Sequence, residues 1–218
     1  MVDICPTITV NNSDDYQRYI ESIALFAVRI HIDLADGTLT ENKLLNPDLI
    51  WWPGGVRADI HIMYKYPDKH LSLIMDLRPQ LIIVHAEADG DFKWLADALH
   101  KNGMEVGVAL LAETPANVLF ESIDLIDHVL IFSGNLGSYG GQADLSLLEK
   151  AHSLKAVKPQ LEIGWDGGIN ENNALELING GIDVLNVGKY LQQADSVEEA
   201  YARLEKVVKG NNTETNDN

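Results

Sequence analysis

Cysteine is nearly missing from this chain. Cys5 is the only one among 218 residues, which excludes an internal disulfide and gives no support for an oxidising compartment. Positive charge is also scarce, with 16 Lys and Arg against 33 Asp and Glu, a net charge of −17 and a pI near 4.6. Such a surface repels phosphate backbones, so nucleic acid is not an expected partner. An anionic small molecule would have to be held by local features such as backbone N–H groups or a helix N-terminus. No apolar run approaches the roughly 18 residues that span a bilayer, so no membrane association is expected. Residues 1–10 have neither a basic region nor a cleavage-type site, which argues against a secretory leader and for a cytoplasmic location.

What the chain does have is a core and a repeated pattern. Hydrophobic residues make up 46% and charged residues 22%, enough to fold a large domain rather than remain disordered. Apolar, β-branched runs of strand length recur at 3–10, 27–34, 56–64, 80–86, 104–110, 128–133, 161–165 and 183–187. Leu81-Ile82-Ile83-Val84 and Val129-Leu130-Ile131-Phe132 are continuously apolar, as strands covered on both faces are. Helix start signals lie between them at Ser13-Asp14-Asp15, Pro67-Asp68, Thr114-Pro115 and Asn170-Glu171-Asn172. Eight strands alternating with helices predict the α/β class and a single closed (β/α)8 TIM barrel over residues 1–209. A polar C-terminal tail, 210–218, is expected to fray. The stretch 42–55, with Asn46-Pro47 and Trp51-Trp52-Pro53-Gly54-Gly55, is too broken for a full helix and predicts a short helical turn and loop.

Functional residues of such a barrel sit at the C-terminal ends of its strands. His31 and Asp33 close the second strand, two apart and therefore on one face. His61 lies toward the end of the third, and Asp166 ends the seventh. Alone, each is a satisfied polar group near a strand end. Together, two imidazoles and two carboxylates on one rim are a nitrogen/oxygen site for a divalent metal ion. Glycines gather on the last three loops: Gly137, Gly140 and Gly141 after strand six, Gly167 and Gly168 after strand seven, and Gly188 after strand eight. Barrels commonly bind phosphate there through backbone N–H groups that glycine leaves open, although glycine also simply makes turns.

On these residues the chain resembles the ribulose-phosphate 3-epimerase family, from about Ile4 to Val208. The matching pieces occur in order: Pro6-Thr7-Ile8, His31 through Gly37, His61-Ile62-Met63, Val84 through Ala88, Gly107 through Leu110, Asn135 through Gln142, and Asp166 through Ile169. The resemblance implies that His31, Asp33, His61 and Asp166 bind one divalent ion (Zn2+, Fe2+, Mn2+ or Co2+). It also implies that Asp33 and Asp166 are the catalytic acid/base pair. The implied reaction is epimerisation at C3 of a ketopentose phosphate, D-ribulose 5-phosphate to D-xylulose 5-phosphate, through an enediolate, as in the pentose phosphate pathway. No redox cofactor is called for. Thr7 and Met63, with the loop glycines and Lys189, are the expected substrate and phosphate contacts. Thr7 stands where the family usually has serine, Ala35 and Phe132 replace methionines, Leu136 replaces a proline, and Lys189 replaces a serine. The strand-six loop is one residue longer, and the connection between strands two and three is shorter.

Those departures reshape the pocket wall and leave two other readings open. One is the same chemistry on a ketohexose phosphate such as allulose 6-phosphate, and the other is a non-catalytic barrel that binds a phosphosugar. A decarboxylase or aldolase of the orotidine-phosphate group would call for an Asp-x-Lys-x-x-Asp motif, which is not found. The expected partner is a small phosphorylated sugar, and homo-oligomerisation is left open. Lys189 is expected to point outward into solvent. His85 and Glu87 are expected to stand behind the metal site or to be structural, Cys5 to be a small buried hydrophobe, and Trp51, Trp52, Trp94 and Trp165 to be packing or interface groups. His70, His100, His128 and His152 are expected to have no role at the rim.

Overall fold

Each apolar run singled out above becomes a strand in the computed structural model, which describes residues 2–138 and 140–214. The strands are β1 (Asp3–Ile8), β2 (Arg29–Ala35), β3 (Arg57–Met63), β4 (Leu81–His85), β5 (Glu105–Leu110), β6 (His128–Phe132), β7 (Glu162–Asp166) and β8 (Val184–Val187). All pair in parallel with their sequence neighbours, and β8 returns to β1, closing the barrel. Around it lie α1 (Ser13–Ile23), α2 (Leu71–Asp76), α3 (Phe92–Lys101), α4 (Leu148–Val157), α5 (Ala174–Asn179), α6 (Lys189–Gln192) and α7 (Val197–Glu214).

The start signals act as their chemistry dictates, with one exception. Asn12 caps α1 by accepting the Asp15 N–H, and Asp14 and Asp15 sit in its positive first turn. Pro67-Asp68 opens a 3-10 turn that runs into α2. Asn170 through Asn173 form a turn, and α5 begins at Ala174. The exception follows Thr114-Pro115, where a 3-10 run, Ala116–Leu125, stands in place of an α-helix. The Thr114 hydroxyl is bonded to Glu87 instead, and no side chain caps the segment. Between β2 and β3 there is only a 3-10 turn, Pro47–Leu49, within a loop held to α1 where the Tyr16 hydroxyl donates to the Trp51 carbonyl at 2.6 Å. The tail expected to fray from Gly210 begins inside α7, which continues to Glu214; residues 215–218 lie outside the described ones.

The barrel interior is stratified. Ile32, Ile60, Val129 and Ile163 point outward into apolar layers shared with the helices, while Leu81, Ile83, Ala109 and Leu130 form a separate small plug inside. At the N-terminal end of the strands, Arg29 is buried at 2% exposure. Its Nε donates to Asp59 Oδ2 at 2.6 Å, and its terminal nitrogens donate to both Glu162 oxygens and to Asp3. His128 bonds the same Glu162 at 2.7 Å. Four elements of the barrel are thereby tied through one guanidinium, a fork suited to several carboxylates at once. At the opposite end, the register sets Asp33 beside His61, and Asp166 beside Phe132 and Asn186.

Replacing Arg29 with methionine leaves Asp59, 1% exposed, with only the longer 3.7 Å ion pair to Arg57, and should cost about 3–5 kcal/mol of stability in urea denaturation. The acid limb follows from Glu162. Burial would raise its pKa, but His128 and Arg29 hold it well below the ordinary carboxylate value. Its stabilisation is therefore complete above the unfolded value of about 4.3 and lost as pH falls toward the depressed folded one. Glu162→Gln should flatten that acid-side loss in a pH series of denaturation curves.

Candidate metal centre and substrate cavity

Alternation along β2 turns both His31 and Asp33 inward, and pairing with β3 brings His61 level with Asp33. Asp166 arrives from β7. One donor atom from each of the four residues lies within 4.8 Å of the others, and all four residues are buried. His61 Nδ1 is 2.8 Å from Asp33 Oδ1. His31 Nε2 is 3.2 Å from the same oxygen and 3.9 Å from Asp166 Oδ2. Thr9, just past β1, donates its hydroxyl to Asp33 Oδ2 at 2.6 Å. Both ring nitrogens of His31 and Oδ2 of Asp166 are buried without hydrogen-bond partners among the described residues. Converging, under-satisfied nitrogen and oxygen donors of this kind fit a divalent ion.

The electrostatics separate the two carboxylates. Burial would raise Asp33, but the His31 and His61 contacts hold it well below the usual range. Asp166 is pushed up to about 7, first by burial and then by the negative charge of Asp33, against the opposing pull of His31. For His31, burial is outweighed by Asp33 and Asp166, and its pKa rises. His61 falls to about 4, driven down by burial and by the neighbouring His85 and His31, despite Asp33.

Behind His61 stands a second layer. His61 Nε2 is 2.8 Å from His85 Nε2, and His85 Nδ1 is 3.1 Å from Glu87 Oε2. Glu87 also accepts the Leu111 N–H and the Thr114 hydroxyl, and its pKa lies well below normal because the His85 and Thr114 bonds outweigh its burial. An ionised Glu87 only accepts, so His85 carries its proton on Nδ1 and presents a lone pair on Nε2. A neutral His61 that donates from Nε2 would offer its Nδ1 lone pair to an ion held in the cluster; without an ion, Nδ1 faces the ionised Asp33 oxygen, which only accepts and favours a proton on Nδ1.

The centre opens into a cavity of about 400 Å³. Asp33, Asp166, Thr7, Met63, Phe132 and Asn186 line one end, and the glycine loops, Lys189 and Arg203 line the other. Every expected contact is among its walls: Gly137, Gly140, Gly141, Gly167, Gly168 and Gly188 as well as Thr7, Met63 and Lys189. Tyr139, in the same loop, lies outside the described residues.

Two expectations change. Lys189 is exposed to solvent, as expected, yet it does not point away from the cavity: Nζ lies 3.8 Å from where a Cβ on Gly140 would be, so the side chain lies over the glycine loop. It starts α6 immediately above Gly140, and that placement directs it across the mouth. Gly167 and Gly168 answer first to packing. A Cβ on Gly168 would sit 2.2 Å from Ala143 N, and one on Gly167 2.4 Å from Gly134 N, with both residues at positive φ. Trp165 is fully buried, as expected, and its Nε1 donates to the Gly167 carbonyl.

Asn186, Thr9 and Arg203 were not singled out in the sequence. For Thr9 a signal existed, since Thr7-Ile8-Thr9 places two hydroxyls on one face. Asn186 interrupts the apolar Val184-Leu185-Asn186-Val187, which alone names it as an oddity. Arg203 comes from α7, far along the chain, and nothing local marks it.

Comparison with known proteins covers most of the chain. The profile of the ribulose-phosphate 3 epimerase family matches residues 3–192. A ribulose-phosphate 3-epimerase of Helicobacter pylori is 27% identical, over 94% of this chain and 97% of its own. That of Bacillus subtilis is 30% identical, over 73% of this chain and 77% of its own. Among solved structures, phosphoribosyl anthranilate isomerase from Thermus thermophilus superposes with a TM-score of 0.67 at 20% identity, covering 94% and 100% of the two chains, a likeness of fold alone.

If the His85–Glu87 pair sets the His61 lone pair, His85→Ala or Glu87→Ala should weaken divalent-ion binding by about 10–100-fold in calorimetric titration. Unchanged affinity with an intact fold would show that His61 needs no such support.

Proposed function

Because the chain belongs to the ribulose-phosphate 3-epimerase family, we propose that it inverts C3 of a ketopentose phosphate, D-ribulose 5-phosphate to D-xylulose 5-phosphate. Asp33 and Asp166 are the acid/base pair. The observation that carries this reading is geometric: Asp33 and Asp166 reach one end of a single cavity from different strands, within a donor cluster of 4.8 Å, and their surroundings push their pKa values in opposite directions. Environments that drive two titratable groups apart in this way assign one as base and the other as acid.

Inverting a carbon beside a ketone removes a proton from one face and returns one to the other. One carboxylate must be ionised when the other still holds its proton. Asp33, fixed by the Thr9 hydroxyl and His61, is suited to the first task, and Asp166 to the second. The two come from strands on either side of the β8–β1 seam, so they approach the cavity from different directions. A divalent ion (Zn2+, Fe2+, Mn2+ or Co2+) held by His31, Asp33, His61 and Asp166 would supply the positive charge that a weakly acidic C–H needs if its proton is to leave. Met63 and Phe132 wall the reacting end with apolar surface, which strengthens the electrostatic contacts there. At the far end, backbone around Gly140, Gly141, Gly168 and Gly188 lines the space for the phosphate, with Lys189 as a cation above it, whereas the Gly167 N–H is taken by the Asp166 carboxylate. In a protein of net charge −17, that local arrangement stands in for any attraction by overall charge.

In deuterated water the enzyme should place solvent deuterium at C3 of the recovered sugar, read by NMR. Asp33→Asn and Asp166→Asn should each lower turnover at least ~100-fold, and full activity in either would remove the two-aspartate scheme. Coupled assays with ribulose 5-phosphate and allulose 6-phosphate decide the chain length of the substrate. Lys189→Ala should raise KM about tenfold with little change in kcat, the loss expected of one partly exposed charge-assisted contact. Gly168→Val is no test of the phosphate position, because its Cβ already collides with backbone.

A further inference from the structure

We propose that Asn186 reads one of the two sugar hydroxyl groups that border the reacting ketone–C3 pair, on C1 or on C4, and so helps to set which ketose phosphates are accepted. The proposal rests on the reading that Asp166 works at the epimerised carbon.

Asn186 lies on β8 between Asp166 on β7 and Cys5 on β1. It is 2% exposed, and neither its amide nitrogen nor its amide oxygen has a hydrogen-bond partner among the described residues. On the adjoining strand, Thr7 is equally buried, and its Oγ1 is also unpartnered. Both residues line the cavity that holds Asp33 and Asp166. Adjacent strands thus present a donor, an acceptor and a hydroxyl to one space, all unmatched by protein.

A buried amide with no partner opposes folding, whereas an apolar residue of similar shape at that position would not. The residues on either side in β8 are Val184, Leu185 and Val187, so the strand is otherwise built for burial. Asn186 is the exception, and the cavity is what it faces. A hydroxyl both donates and accepts, and so can meet both ends of the amide, whereas a carbonyl or phosphate oxygen meets only one. Pairing with Asp166 puts that hydroxyl beside the reacting ketone–C3 pair rather than at the phosphate end.

The test is Asn186→Val, studied alongside wild type with the parent ketopentose phosphate and with analogues lacking the hydroxyl on C1 or on C4. Binding is followed by calorimetry, turnover by coupled assay and stability by thermal melting. The expected variant melts at or above the wild-type temperature. Its KM for the parent sugar rises about tenfold, and it no longer distinguishes the parent from one of the deoxy analogues. A variant that is less stable and discriminates as wild type does would overturn the proposal, because the amide would then be structural. Equal preference by wild type for parent and both analogues would overturn it too. Wild type that binds the sugar without turning it over sinks the proposed reaction alone, and discrimination in binding then decides the role of Asn186. Wild type that binds neither sugar overturns both.

Discussion

Asp33 and Asp166 are buried carboxylates held close enough that each feels the other's charge, and the rest of the rim is arranged around that repulsion. Two imidazoles and the Thr9 hydroxyl hold Asp33 ionised. Asp166 lacks such support on Oδ2 and absorbs the difference as a raised pKa. A folded protein tolerates such a cluster only where the surrounding structure is rigid. Here the strands provide that rigidity, because none of the four residues sits on a loop. The ion-pair network of Arg29 at the other end of the barrel lies far from this cluster and solves the same problem by pairing instead. One end of the barrel pairs its charges within the protein, although Asp59 Oδ1 and His128 Nε2 have no hydrogen-bond partner there among the described residues. The other is left short of partners.

Most of this was legible in the sequence because strands impose a strict period of two. Once His31 and Asp33 were on one strand, their shared face followed, and the order of the strands then fixed His61 and Asp166. Family resemblance supplied the roles, which spacing alone does not. What stayed hidden was set by side-chain competition or by distant chain. Thr114-Pro115 reads as a helix start, but Glu87 claims the threonine. Lys189 reads as the solvent end of a strand, yet α6 begins there and carries its ammonium over Gly140. Arg203 reaches the cavity from a helix that the motif does not include. The glycines were found for a partial reason. Backbone approach is indeed what they permit, but at Gly167 and Gly168 the approaching backbone is the protein's own.

His85 and Glu87 illustrate how far the influence of the four-residue donor cluster extends. Neither joins the four-residue cluster, yet which nitrogen His61 could offer to an ion there depends on Glu87 being unable to donate. The same carboxylate anchors the loop after β5 through Leu111 and Thr114. A side chain on one loop therefore links the order of another to the donor set at the centre.

The close approach at Gly167 and Gly168 bears on how the cavity can open. The Ser133 N–H donates to the Asp166 carbonyl, the Asp144 N–H donates to Ser133 Oγ, and Ser133 Oγ donates to the Gln142 carbonyl. With backbone already in contact at both glycines, the loops after β6 and β7 are effectively zipped into a single jaw. Swinging one without the other would break the Ser133–Asp166 bond and part surfaces that no side chain separates. A motion that admits a ligand must therefore hinge where β6 and β7 end, or come from the opposite lip, where Thr40 and Asn42 touch the Leu136 carbonyl through exchangeable contacts of 3.1 and 3.3 Å. The half of the mouth built from the glycine loops would thus move as one piece, whereas the shortened connection between β2 and β3 can part from it by giving up two side-chain contacts.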